Sequence, residues 1–205
     1  MKRYPTLLLL ILLSISLQAQ NLKKLRDCDL LFHVTPYSSP ITEATSENSL
    51  PIDHVGIFYR FDGKPVVIEA TYRGVVITPI EKWMKHPERI YVGRIRGKID
   101  KQQSIANALS YVGKPYDYLF QEGVDEIYCT ELIHLSFVDK HNQPIFQTVP
   151  MSFHDTTGQV MPYWEDYYSR RGMTVPEGMP GTNPSEMAHR KNVYLFKLTR
   201  RQVDE

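Results

Sequence analysis

Asp125-Glu126-Ile127-Tyr128-Cys129-Thr130-Glu131-Leu132-Ile133-His134-Leu135-Ser136-Phe137 is the stretch around which this chain is organised. Cys129, Leu132, Ile133, Ser136 and Phe137 recur at the three-and-four spacing of a helix, which predicts one buried stripe with the cysteine at its N-terminal end. Unpaired backbone N–H groups and the positive end of the helix dipole favour a thiolate there, and the thiolate is the nucleophilic form of cysteine. A second reading of the same residues stays open. Cysteine is among the most buried residue types, and on an apolar stripe Cys129 could equally be core.

The next informative segment lies upstream. Val55 to Phe61 and Lys64 to Thr71 read as two strands joined by Asp62-Gly63, a strong short hairpin signal. A type I′ loop at those two residues sets the register: Phe61 faces Lys64, Gly56 faces Glu69 and His54 faces Thr71. Pro65 then falls opposite Arg60 in a non-hydrogen-bonded pair, where its missing N–H breaks no ladder bond. In this register His54 and Glu69 are diagonal neighbours on one face, and Gly56 leaves room for them to meet. A carboxylate inside the apolar run Val66-Val67-Ile68-Glu69-Ala70 needs a partner, and an imidazole is at hand. The alternative makes His54 a solvent-facing residue at the strand start and Glu69 an edge charge.

Composition narrows the rest. The chain has 205 residues, 42% hydrophobic and 23% charged, and 24 basic residues against 23 acidic ones leave a formal charge of +1. That balance carries no electrostatic footprint for nucleic acid. Met1-Lys2-Arg3, the apolar run Leu7 to Leu13 and Ala19 form the pattern of a secretory signal peptide over residues 1–19, cut after Ala19. Leu17 is a poor residue at the third position before that cut, so an uncleaved anchor is the alternative. The expectation is a single domain over 20–205, exported to a periplasmic or extracellular, oxidising compartment, with no stable membrane insertion after cleavage. The two cysteines, Cys28 and Cys129, are expected to be free thiols, because one bridge is not a disulfide framework and a chain of this size does not need one; a Cys28–Cys129 bridge, which would consume the proposed nucleophile, is the alternative.

In chain order, Leu30 to Val34 reads as a first strand and Thr35 to Pro51 as a loop. Gly74 to Ile77 is a short strand, and Thr78-Pro79-Ile80-Glu81 reads as a helix N-cap, running through Met84 and stopped by Pro87. Ile90 to Ile95 is a strand, Asp100 caps a helix through Val112, Pro162 to Gly172 is a short helix, and Asn192 to Thr199 is a closing strand. No internal repeat or Gly-rich phosphate loop is present.

A thiol at a helix start, a histidine on a strand and a carboxylate beside it supply the nucleophile, base and orienting group of a cysteine hydrolase. The order Asp53-His54-Val55-Gly56-Ile57, Val67-Ile68-Glu69-Ala70, Gly113-Lys114-Pro115-Tyr116-Asp117 and Tyr128-Cys129-Thr130-Glu131-Leu132-Ile133 resembles the permuted papain-like amidases of the YiiX/YaeF type, relatives of the NlpC cysteine peptidases. The resemblance runs from about Cys28 to Phe137. It implies an α+β, circularly permuted papain-like (NlpC-type) fold in which a mostly antiparallel sheet packs on the cysteine helix. It further implies Cys129 as nucleophile, His54 as base and Glu69 as third polar residue, with Tyr116, Asp117 and Tyr128 near the cleft as substrate contacts or as packing. The family's first strand usually opens with Gly-Asp where this chain has Cys28-Asp29.

The expected activity is cleavage of an amide through a thioacyl-enzyme, in a cell-wall peptide or a small acyl-amino-acid compound, with no cofactor. Two other classes stay open. A thiol acyltransferase or lipid hydrolase of the lecithin:retinol acyltransferase type shares the permuted layout and would be marked by an apolar acyl groove. A non-catalytic binding module would keep Cys129 as core. A metal site is the weakest option: Glu131-x-x-His134 sits on one helix, with no His-Glu-x-x-His or Cys-x-x-Cys beside it.

Overall fold

Asp62 and Gly63 both adopt positive φ, 48° and 75°, as a type I′ turn requires, and the strands on either side pair in the register this turn dictates. Strand β2 (Ile52–Phe61) lies antiparallel to β3 (Lys64–Thr71), with Phe61 opposite Lys64, Arg60 opposite Pro65 and Ile57 opposite Ile68. The computed structural model describes residues 22–46, 50–85 and 89–198. The leader read over residues 1–19 and the Pro87 stop lie outside them.

With β1 (Leu30–Val34), β4 (Gly74–Pro79), β5 (Arg89–Ile95) and a late strand β8 (Val193–Lys197), this hairpin builds a six-stranded sheet in the order β4-β3-β2-β1-β5-β8. Every neighbouring pair in it is antiparallel. The architecture is the α+β one expected. Helix α3 (Lys101–Ser110), whose first turn is capped by the Asp100 carboxylate accepting from Gln103 N–H, and helix α4 (Cys129–Ser136) cover one face. There Leu132, Ile133 and Phe137 meet Phe32, Val55, Ile57, Ile68 and Ala70 in one buried cluster. Alternation along the strands sends Leu31, Phe58, Val67 and Val92 to the other face, where they pack with Ile80, Trp83 and Met84.

The remaining elements are short: α1 (Pro40–Thr45), α2 (Ile80–Trp83), α5 (Pro162–Ser169), α6 (Pro184–Ala188), and a two-stranded sheet of β6 (Val149–Pro150) and β7 (Pro180–Gly181). Two expectations are corrected. Thr35 to Pro51 is not loop throughout: α1 forms because Ser39 and Thr42 exchange capping-box hydrogen bonds and Pro40 follows the cap. Thr78 is not a helix N-cap: it belongs to β4, and α2 starts after Pro79 without a side-chain cap. Its hydroxyl has a stronger acceptor, the Glu69 carboxylate. The helix expected from Pro162 and the strand expected from Asn192 form with trimmed ends, as α5 and β8. Among the described residues, no helix is long and apolar enough to cross a membrane.

Cys28 and Cys129 are both free and buried. Cys28 donates to the Lys101 carbonyl at 3.6 Å, and burial pushes its thiol up to about 12, which leaves it unreactive. It sits at φ 71°, the left-handed region where glycine costs nothing. Asp29 beside it has a structural duty. Its carboxylate takes both Nε and Nη2 of Arg94, at 2.8 and 2.7 Å, fastening the start of β1 to β5.

Candidate active site

Helix α4 begins where the chain leaves an extended Tyr128, so the Cys129 thiol stands on the first helical residue, among N–H groups that the ladder does not use. Opposite the helix start, β2 carries His54. The pairing of β1 with β2 slips between His33 and Val34, which pair with His54 and Ile52 and leave Asp53 as an extra residue. A bulge of this kind re-aims side chains, and this one adjoins His54.

His54 is hydrogen-bonded to Cys129 on one side and to Glu69 on the other. Its Nε2 lies 2.7 Å from Glu69 Oε2, so Nδ1 is the nitrogen left for the sulfur. Burial alone would lower the imidazole, but hydrogen bonds and charge from Cys129 and Glu69 outweigh it and raise it to about 10. The imidazolium is therefore the favoured form at neutral pH.

Glu69 is buried, and burial pushes a carboxyl up. The imidazolium and two further donors overcome that and hold it below the usual range. Thr78 Oγ1 donates to Oε1 at 2.6 Å and Trp83 Nε1 donates to Oε2 at 2.9 Å. Trp83 is itself stacked on His33 at 3.8 Å between ring centroids, and His33 stands opposite His54 in the β1–β2 register. Gly56 makes the arrangement sterically possible: a Cβ there would lie 2.3 Å from Val67 Cγ1 and 3.3 Å from Glu69 Cβ.

Of the other anticipated residues, Tyr116 and Tyr128 line a cleft together with Cys129. The Tyr116 segment is pinned by Val75 N–H to Lys114 O and Ile127 N–H to Pro115 O, which ties β4 to the run leading into α4. Desolvation and the neighbouring Cys129 push the Tyr116 phenol up, so it stays a neutral donor. The Tyr128 hydroxyl accepts from the backbone N–H of Thr182 and lies 3.1 Å from the Thr182 hydroxyl, whose single proton goes to Thr130 Oγ1 at 2.9 Å. This buried network fastens the late chain to the start of α4. Asp117 is placed differently: it accepts from the N–H groups of Leu119 and Gln121 at 2.6 and 2.7 Å, a loop-bracing role outside the cleft lining.

The Glu131/His134 pair does not converge on a common point. Glu131 accepts from Gly123 and Tyr128 N–H, and His134 meets the Phe146 carbonyl at 2.6 Å. Burial pushes the Glu131 carboxyl up to about 8, against the pull of those N–H donors. Among the described residues, no group of three or more His, Cys, Asp or Glu is placed to hold a metal ion.

Thr78, Trp83, His33 and Thr182 are the site neighbours that sequence reasoning missed. A signal existed for the first. Extending the strand register across the next turn pairs Val67 with Thr78 and Glu69 with Val76, so Thr78 is diagonal to Glu69.

Three comparisons bear on this geometry. A crystal structure described as metalloprotein YiiX from Escherichia coli O157:H7 superposes with a TM-score of 0.68 at 21% identity, covering 83% of this chain and 96% of that one, which shows a shared fold. An uncharacterized protein YiiX of Escherichia coli K12 is 33% identical over 112 residues, so that the match spans about half of each chain, 51% of this one and 54% of the relative. The permuted papain-like amidase enzymes of the YaeF/YiiX, C92 family match over residues 24–196, and the chain belongs to that family.

Proposed function

We propose that the protein is an exported cysteine hydrolase that cleaves an amide through a thioacyl-enzyme, with Cys129 as nucleophile, His54 as acid and base, and Glu69 as the group that orients His54. The observation that carries this reading is the line of hydrogen bonds from Cys129 through His54 to Glu69. The Cys129 thiolate attacks the carbonyl carbon, and the Cys129 N–H at the helix start receives the developing oxyanion. Sulfur–carbon bond formation is followed by carbon–nitrogen cleavage, in which the His54 imidazolium gives its proton to the leaving amine. Neutral His54 then takes a proton from water, whose oxygen displaces the sulfur and releases the carboxylic acid. Export rests on the leader pattern of residues 1–19.

The cleft beside Cys129 is largely apolar, which also favours a second reading: a thiol acyltransferase or lipid hydrolase of the lecithin:retinol acyltransferase type. The first half-reaction is shared, and acyl esters assayed beside amides separate the two. The experiment for both is turnover by parent and Cys129→Ala protein on a panel of wall-derived peptides, N-acyl amino acids and acyl esters. Loss of turnover in the variant is the expected result, and equal turnover removes the mechanism. Alkylation by iodoacetamide near neutral pH, with mapping to Cys129 over Cys28, separates an active thiol from a core one.

A further inference from the structure

A second space adjoins the cleft at Cys129. It lies between the end of α1, the β6 region and α6, measures about 880 Å³ out to its mouth, and shares Ala44, Thr45, Ser152 and Asn183 with the cleft lining. Its walls are of two kinds. Ala44, Val149 and Pro150 are apolar, whereas Thr45, Ser46, Ser152, Asn183, Glu186 and His189 bring hydroxyl, amide, carboxylate and imidazole groups. The one carboxylate among them is already matched, because Glu186 Oε1 accepts from Arg190 Nε at 2.6 Å. Several other polar atoms keep capacity for a ligand. Asn183 Oδ1 is taken by the Glu186 N–H at 2.8 Å, which leaves the two donors on Nδ2. His189 Nδ1 donates to the Ser185 carbonyl at 2.7 Å, which leaves Nε2 as an acceptor. Glu186 Oε2 is buried and meets no donor among the described residues. A buried acceptor of that kind is normally satisfied, which points to an occupant that brings donors of its own.

The chemistry of the walls narrows the ligand class. An ammonium or a carboxylate gains little where the carboxylate and its guanidinium already answer each other. A wholly apolar group would bury the remaining donors and acceptors unpaired. A sugar ring suits both kinds of wall, since it has an apolar C–H face and a rim of hydroxyls, each of which donates and accepts. The chamber also has the size of an ordinary small-molecule site. In the proposed reaction the leaving amine must lie at His54 to receive its proton, and His54 lines neither space. A sugar in the chamber therefore belongs to the other half of the substrate, the one that stays on the sulfur.

We infer that the chamber walled by Ser46, Val149, Pro150, Asn183, Glu186 and His189 is a saccharide subsite, and that the substrate class is amides whose acyl half carries a sugar. The substrate class rests on the proposed function; saccharide binding by the chamber does not. Two experiments keep them apart. Calorimetry with Cys129→Ala protein reads binding without chemistry, with cellobiose and diacetylchitobiose compared against a neutral capped dipeptide, acetyl-alanyl-alanine amide. The better disaccharide is expected to bind at least about tenfold more tightly than the peptide. Equal affinities, or a tighter peptide, overturn the saccharide assignment, whatever any variant does. Ser46→Trp in the same protein, checked for an unchanged thermal transition, puts a ring into the chamber and is expected to lower disaccharide affinity at least about tenfold. His189→Trp fills the chamber from the end of α6 and stands in should Ser46→Trp not fold. Undiminished binding by a folded variant moves the sugar elsewhere and overturns the chamber. Turnover by the parent then reads the substrate class, using the hydroxyhexanoyl amide of one fluorogenic amine with and without a β-glucosyl group on its hydroxyl. The glucosylated amide is expected to lead by at least about tenfold in kcat/KM and to lose that lead in Ser46→Trp. Cys129-dependent turnover without the lead overturns the substrate class and leaves the amidase. Disaccharide binding without Cys129-dependent turnover leaves the chamber standing and removes the hydrolase.

Discussion

Nε2 of His54 lies 2.7 Å from Oε2 of Glu69, and this contact ties the imidazole to a buried carboxylate that also accepts from Thr78 and Trp83. With Cys129 on its other side, the imidazole is raised from its ordinary value of 6.5 to about 10. A raised histidine stabilises the fold fully below its unfolded value, and that contribution is lost as pH rises through about 10. Glu69, depressed, stabilises above its ordinary range and loses that contribution as pH falls through its folded pKa. The alkaline limb of kcat/KM is accordingly expected well above 7, where His54 loses the proton needed by the leaving amine. Glu69→Gln removes one of the two charges that hold that proton, so its alkaline limb should move towards neutrality with a loss of about tenfold or more in kcat/KM. A pH–rate profile of both proteins decides it, and coincident alkaline limbs would show that Glu69 does not act on His54.

Thr78 and Trp83 act on the same carboxylate from the other side. Each donates to a buried, charged acceptor, a type of hydrogen bond that contributes about 1.5–3 kcal/mol. Thr78→Val keeps shape and removes the donor, and Trp83→Phe keeps a ring for His33 to stack on. Both are expected to lose about 1–3 kcal/mol of stability in denaturant titrations, and to move the alkaline limb upwards, because a less satisfied Glu69 binds the imidazolium proton more strongly. A stability loss with an unmoved limb would make them purely structural residues.

The Asp62-Gly63 turn explains how much of this was legible in advance. One two-residue loop of known handedness fixes every later pair of the hairpin, so that the approach of His54 to Glu69 followed by counting. The cysteine helix was legible for a similar reason: five residues at helical spacing, all of which are buried. Thr78 was misread because Thr-Pro-x-Glu is a sound N-cap pattern locally, and only its tertiary partner, Glu69, shows that it belongs to the strand. Of the cleft, only Cys129, Tyr116 and Tyr128 were legible. Its walls come from α1, the β6 region and α5, which lack strong periodicity and are brought together by non-local packing around Trp164.

Gly56 is the position where the hairpin tolerates no side chain. A methyl there would stand 2.3 Å from Val67 Cγ1, closer than any relaxed contact. Gly56→Ala is expected to cost about 1–3 kcal/mol in chemical denaturation and to lower kcat/KM by more than its stability loss explains, since Glu69 Cβ lies next in its path. Gly63→Ala, at φ 75° with open space around its Cα, should lose stability through the backbone while leaving kcat/KM close to the parent. Equal kinetic losses in the two variants would separate Gly56 from the positioning of Glu69.

Cys28, just before β1, has its backbone in the conformation that glycine favours, at φ 71°. Holding a non-glycine residue at φ 71° costs on the order of 1–2 kcal/mol, which the buried thiol offsets through packing. Burial alone ranks Cys28→Ala above Cys28→Gly, because alanine retains a methyl group. Backbone strain ranks them the other way, since alanine loses the thiol and keeps the strain. The expected order of thermal stability is therefore glycine equal to or above alanine, both within about 2 kcal/mol of the parent, with Cys129-dependent turnover unchanged in either. A markedly less stable glycine variant would show that the thiol's packing, not the backbone, governs this position.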